Sequence, residues 1–161
     1  MPIKVGDKLP NATFRTHTAE GPNKPKTTDD IFKGKKVALF AVPGAFTSTC
    51  SAKHLPSFVN NADALKQKGI DIIACTAVND AAVMKAWAEA GHATGKVTML
   101  ADGNGDLAHA LGVDADMSKN GMGRRSRRYS MLVEDGVVKE LNLEEPGAFG
   151  VSSGDHLLGQ I

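Results

Sequence analysis

Apolar and polar positions along this chain follow two alternating rhythms, one of short continuous runs and one of helical spacing. The run KVALFAV at 36–42 is almost wholly apolar and stops at Pro43-Gly44, which predicts a buried strand ending in a turn. Beyond Thr49, the residues Leu55, Phe58, Ala62 and Leu65 recur at helical spacing, with Gly69 as a stop signal. Pro56 lies inside that pattern and predicts a kink or a missing hydrogen bond. The span 69–78 reads as a second strand, and Asn79 as the N-cap of a helix that carries Val83, Met84 and Trp87 and closes at Gly91. A third short strand at 97–101 leads through Asp102-Gly103 into a helix with Leu107, Ala108 and Leu111. The segments 129–133 and 137–141, joined by Glu134-Asp135-Gly136, form a hairpin around an Asp-Gly turn. Leu157, Leu158 and Ile161 mark a last helix, with Ser153 or Asp155 near its cap.

Strand–helix alternation followed by a hairpin and a helix predicts an α/β fold, a central sheet flanked by helices. With no internal repeat and no dividing linker, residues 1–161 read as one domain, in which 114–123 is the segment expected to be mobile.

Composition narrows the function more than the fold. At 161 residues the chain can bury a sizeable core, and its formal charge of +1 gives no reason to expect nucleic acid or an anionic membrane as partner. Its longest apolar runs, VALFAV and IIACTAV, fall far short of the roughly 20 residues of a spanning helix. The start MPIKVGDKLPN lacks the apolar stretch of a secretory signal, and two cysteines cannot staple a small secreted fold. A reducing compartment is therefore expected, with the cytoplasm as the default. Asn11-Ala12-Thr13 matches a glycosylation sequon but has no meaning without secretion.

The chemistry concentrates in VPGAFTSTCSAKHLP at 42–56, where Cys50 follows a Pro-Gly turn and a Thr-Ser-Thr run. Three readings compete: a buried structural thiol, a cysteine paired with His54 for hydrolysis, and a thiolate built to be oxidised. If the helix begins near Thr49, Cys50 lies in its first turn, against unpaired N–H groups. Lowering a thiol pKa from about 8.5 to about 6.5 requires roughly 2.7 kcal/mol. A helix terminus usually supplies ~0.3–1 kcal/mol and at most about 2. A cation is needed as well, and Lys53, His54 and the Arg124, Arg125, Arg127, Arg128 cluster are candidates. His54 could equally be a surface or helix-packing histidine, since adjacent helical turns give a base poor geometry.

Other signals fail on detail. Gly103-Asn104-Gly105-Asp106-Leu107-Ala108 imitates a dinucleotide fingerprint without the βαβ unit that must follow. Asp102, Asn104 and Asp106 open like a calcium loop, but Leu107 and Val113 stand where glycine and glutamate are required. The five histidines show no ligand spacing with the cysteines, so no metal is expected.

Read as one unit, Pro43, Thr47 and Cys50 make the active-site pattern of the peroxiredoxins. PGAFTSTCS, GIDIIACTAVND, VMKAWA, RRYSMLVEDGVVKELNLEEPGAF and the closing VSS segment together resemble the type II (type five-like) subfamily, especially its plant-like and bacterial forms. The resemblance implies a thioredoxin-like fold with a mixed sheet, and reduction of hydrogen peroxide and organic hydroperoxides. It implies Cys50 as the peroxidatic cysteine, Thr47 bonded to thiolate and peroxide, Pro43 shielding the sulfur from water, and Arg128 contacting sulfur and substrate. Fixed donors of this kind matter, because an acidic thiolate is also a weaker nucleophile and the leaving oxygen must be stabilised. His54 then becomes a secondary candidate.

Ser48 departs from the pattern, since the subfamily often has proline there; a looser loop and a modest change in rate or over-oxidation are expected. The C-terminal region GAFGVSSGD has no resolving cysteine. Cys75 matches the second cysteine of plant-type members, yet its neighbours make it look like a core strand residue. Resolution is therefore expected mainly from an external thiol, glutathione with glutaredoxin or thioredoxin, with a Cys50–Cys75 disulfide as the minor route and no cofactor. A homodimer is expected on resemblance alone. A disulfide reductase lacks its first cysteine here, and a redox sensor triggered once at Cys50 stands as the non-enzymatic alternative.

Overall fold

The computed structural model describes residues 2–18 and 20–161, with the backbone only at residue 50. Seven strands form one mixed sheet. In chain order they are β1 (Thr13–Thr18), β2 (Gly21–Thr27), β3 (Lys36–Ala41), β4 (Ile72–Ala77), β5 (Thr98–Ala101), β8 (Tyr129–Glu134) and β9 (Val137–Leu143). A separate two-stranded ribbon pairs β6 (Asp114–Asp116) with β7 (Arg124–Ser126). The order across the large sheet is β2-β1-β5-β4-β3-β8-β9, with β3, β4 and β5 parallel and the outer pairs antiparallel.

Alternation along β3 explains the layering. Ala38, Phe40 and Val42 face one apolar layer, while Val37, Leu39 and Ala41 face the other. The first layer is closed by α2 (Leu55–Asn60), α3 (Ala62–Gln67), α4 (Ala81–Ala90) and α6 (Gly154–Gln160) through Phe58, Leu65, Trp87 and Leu157. The second is closed by α1 (Thr28–Phe32) and α5 (Asp106–Ala110) through Phe32 and Leu107. A strand buried on both faces must read as a continuous apolar run, as 36–42 does. The expected α/β architecture, a central mixed sheet flanked by helices, is the one found.

Several local expectations change. The hairpin β1–β2 and α1 carry no strong apolar pattern. β2, GPNKPKT, is an exposed edge strand whose two prolines are tolerated only because one side of it has no partner. Asp80, not Asn79, caps α4, accepting the N–H of Val83 at 2.8 Å. The segment 114–123, expected as a mobile loop, is largely the β6 strand and a 3-10 turn at Ser118–Asn120, closed by the N–H of Met117 donating to the Gly123 carbonyl.

Candidate active site

Parallel pairing of β4 with β3 on one side and β5 on the other puts the C-terminal ends of all three at one edge of the sheet. β8 runs antiparallel to β3 with Tyr129 opposite Ala41, so Arg128, one residue earlier, lies beside the end of β3. The last residues of β9 return to the same edge, Leu143 opposite Tyr129. Topology thus gathers the 43–50 loop, the arginine segment and the 144–152 loop.

The helix after β3 opens at residues 48 and 49, with the N–H of Ser51 donating to the Thr47 carbonyl at 2.9 Å. It then widens into a π-helical turn, Cys50–His54, before α2 begins. Pro56 accounts for the widening: it has no N–H for the Ala52 carbonyl, and its ring crowds that carbonyl. The break predicted at Pro56 is present. Cys50 is the first residue of this turn, and its side chain lies outside the described residues. Trp87 ties the turn to α4, its indole N–H donating to the Ser51 hydroxyl at 3.0 Å.

His54 is neither on the surface nor merely packed. It is fully buried among Phe40, Phe58 and Phe149, with ring centroids at 4.9, 5.8 and 5.1 Å. Its Nε2 bonds the Ser152 carbonyl at 2.8 Å, which requires the proton on that nitrogen. Nδ1 is then an acceptor and takes a hydrogen bond from Arg128 Nη1 at 2.8 Å. Burial, and next the Arg128 charge, push the imidazole pKa from 6.5 down to about 3, so it is neutral at physiological pH. With both nitrogens engaged, neither is available as a general base for Cys50, which removes the Cys/His hydrolase reading.

The four arginines separate into distinct tasks. Arg124 pairs with Asp114 on the surface. Arg125 donates to the Pro43 carbonyl at 3.2 Å and to that of Met122 at 2.9 Å, pinning the half-buried proline turn. Gly44 allows this crossing, since a Cβ there would meet Arg125 Nη1 at 3.0 Å. Arg127 donates to the Glu144 carbonyl at 2.6 Å. Arg128 reaches His54 and lies 5.8 Å from the centre of the Phe149 ring.

Thr47 is half-buried and donates its hydroxyl proton to the Gly44 carbonyl at 2.8 Å, so that toward any further partner its oxygen can act only as an acceptor. Asn79, expected as a helix cap, instead accepts the Ala45 N–H at 2.9 Å and holds the loop from the far side. Cys75 is wholly buried on β4 beside Phe40. The dinucleotide imitation at 103–108 is occupied by the protein itself: the Asp102 carboxylate accepts the N–H groups of Leu107 and Ala108 at 3.0 and 2.9 Å.

Sequence reasoning did not single out Glu144. Its side chain is buried, and one oxygen accepts the N–H groups of Gly150, Val151 and Ser152 at 2.8, 2.9 and 2.9 Å and the Ser152 hydroxyl at 2.7 Å. Burial raises its pKa, but the Ser152 hydroxyl and those three amides outweigh it and hold the carboxyl below its ordinary value. Nothing in the local pattern LNLEEPGAF distinguishes this glutamate from Glu145.

Comparisons with known proteins agree with the geometry. The Redoxin family model matches residues 4–158. Peroxiredoxin-2E-2, chloroplastic, of Oryza sativa subsp. japonica is 54% identical over 160 residues, 97% of this chain and 71% of that protein. Peroxiredoxin-2E, chloroplastic, of Arabidopsis thaliana is 52% identical over 159 residues, 97% of this chain and 68% of that protein. The structure of reduced Prx3 from Vibrio vulnificus in complex with H2O2 superposes with a TM-score of 0.94 at 49% identity, covering 98% of each chain. The two chloroplastic relatives overturn the cytoplasmic expectation: a low cysteine count constrains redox conditions, and a reducing environment is not unique to the cytosol. The chain belongs to the Redoxin family and within it is a peroxiredoxin, a thiol-dependent peroxidase with the thioredoxin-like fold.

Proposed function

We propose that Cys50 is the nucleophile of this peroxidase and that Thr47, Pro43 and Arg128 complete its site. The thiolate attacks one peroxide oxygen; a sulfur–oxygen bond forms as the O–O bond breaks, and the departing oxygen takes a proton and leaves as water or an alcohol. Sulfur loses two electrons and becomes a sulfenic acid. An external thiol then displaces water from that sulfur, and a second thiol carries away the disulfide and restores Cys50. The reading rests on the Arg128–His54 bond of 2.8 Å, which sets a guanidinium against the turn that Cys50 begins. Arg128 stabilises charge on the leaving oxygen. Thr47, its proton committed to Gly44, accepts the peroxide O–H, and Pro43 limits water at the sulfur.

Glutathione with glutaredoxin, or thioredoxin, is the proposed reductant, with no cofactor. Burial of Cys75 favours the external route over a Cys50–Cys75 disulfide. Phe46, 54% exposed on the loop before Thr47, and Val151, 40% exposed, favour apolar hydroperoxides alongside hydrogen peroxide and a homodimer across this face. The chloroplastic relatives favour a plastid as the compartment. Peroxide consumption by wild type and Cys50→Ser, each supplied with glutathione plus glutaredoxin or with thioredoxin, tests the assignment; equal rates would remove Cys50 as nucleophile.

A further inference from the structure

We propose that Glu144 is a positioning residue for peroxide reduction, acting on Arg128 through Ser152 and His54. The observation behind this is a closed path of short bonds. One carboxylate oxygen of Glu144 collects three successive amides, from Gly150 to Ser152, together with the Ser152 hydroxyl. That convergence orients the Ser152 peptide, whose carbonyl accepts from His54 Nε2 at 2.8 Å. The bond sets the tautomer and leaves Nδ1 to receive Arg128 Nη1 at 2.8 Å. The backbone closes the ring: the Glu144 N–H donates to the Arg128 carbonyl at 3.0 Å, and Arg127 holds the Glu144 carbonyl. Glu144 therefore bonds the Arg128 main chain directly and reaches its guanidinium through Ser152 and His54.

Loop closure alone needs no buried charge, which is costly to desolvate. A carboxylate with four donors on one oxygen makes the loop rigid, and rigidity here decides where a guanidinium points. Phe149, carried on the same loop, packs on the His54 ring and lies near Arg128. Misplacement of a transition-state donor is felt directly in rate.

This inference rests on Arg128 acting upon peroxide. The experiment is the second-order rate of Cys50 oxidation by hydrogen peroxide in wild type, Glu144→Gln, Arg128→Ala and the double variant, with fold checked by circular dichroism. Glu144→Gln is expected to slow oxidation about tenfold, to leave the rate of thiol recycling unchanged, and to add nothing in the Arg128→Ala background. Ser152→Ala, which keeps the three amides, serves if Glu144→Gln does not fold, and is expected to show a smaller loss with the same non-additivity. A wild-type rate in the glutamate or serine variant, or an equal fold-loss in both backgrounds, would overturn the positioning role. An unimpaired Arg128→Ala would instead overturn the role of Arg128 itself.

Discussion

Arg128 and His54 lie 74 positions apart in the chain and share a hydrogen bond of 2.8 Å in which the arginine donates to a neutral, buried imidazole. A histidine near an arginine would ordinarily be repelled when charged. Here burial keeps it uncharged, so it serves as a fixed acceptor that aims one edge of the guanidinium.

Arg128→Lys tests the need for a fork. A lysine gathers its three N–H donors on one nitrogen and cannot reproduce the planar fork that bonds His54 Nδ1 from one nitrogen while another faces the leaving oxygen. The second-order rate with peroxide is expected to fall about 10²-fold in stopped-flow measurements, with the fold intact. A loss of only twofold would mean that the charge suffices without the geometry.

His54 also sets an acid limit on stability. Its folded pKa, about 3, is below the unfolded 6.5, so between these values the unfolded chain binds a proton that the native chain refuses. The contribution is therefore fully present above about pH 6.5 and is lost as pH falls toward 3. Between pH 7 and pH 4 this costs on the order of 3 kcal/mol, at about 1.36 kcal/mol per unit. Urea unfolding across that range is expected to show a steeper loss for wild type than for His54→Gln; parallel curves would mean that the imidazole does not resist protonation.

Thr47 separates shape from hydrogen bonding. Thr47→Val keeps the branched side chain but abolishes both the donation to Gly44 and the acceptor oxygen. Peroxide reduction is expected to drop roughly 10- to 100-fold, while Thr47→Ser stays within a few-fold of wild type. Peroxide consumption under excess reductant reads the difference.

Cys75 packs in the apolar layer with Phe40 and Phe58. Cys75→Ala is expected to retain turnover with external thiols and to lose about 1–2 kcal/mol of stability from imperfect packing. Loss of turnover with every external reductant would make Cys75 the resolving thiol.

Gly154 begins α6 where its backbone touches α2: a Cβ there would stand 2.4 Å from the Ser57 carbonyl oxygen. Its N–H also donates to the Ser57 hydroxyl at 2.9 Å. Gly154→Ala is expected to destabilise by about 1–3 kcal/mol in thermal unfolding, because backbone has to move. An unchanged melting temperature would show that the contact yields freely.

Elements with strong periodicity were legible in advance. The buried run at 36–42, the Asp-Gly hairpin and the break at Pro56 each follow from a local rule that tertiary context reinforced. The edge strand GPNKPKT was not, since its pairing is made by main-chain groups that no side-chain pattern reveals. The family resemblance proposes Pro43, Thr47, Cys50 and Arg128 as site residues, whereas the cap expected of Asn79 is supplied by Asp80. The Asn79 side chain instead reaches across to Ala45, a contact set by the packing of two loops.

Local order along the chain is thus enough to propose Cys50 and Thr47 as thiol and neighbouring hydroxyl, because both lie in the short stretch 47–50. The protonation and orientation of His54, the contacts that set Arg128 apart from Arg124, Arg125 and Arg127, and the burial of Glu144 beside an exposed Glu145 were settled by folding alone. Those properties depend on distances between strand ends and on exclusion of water, and neither exists until the antiparallel β8 and β9 bring residues 128 and 144 back to the edge where β3 stops.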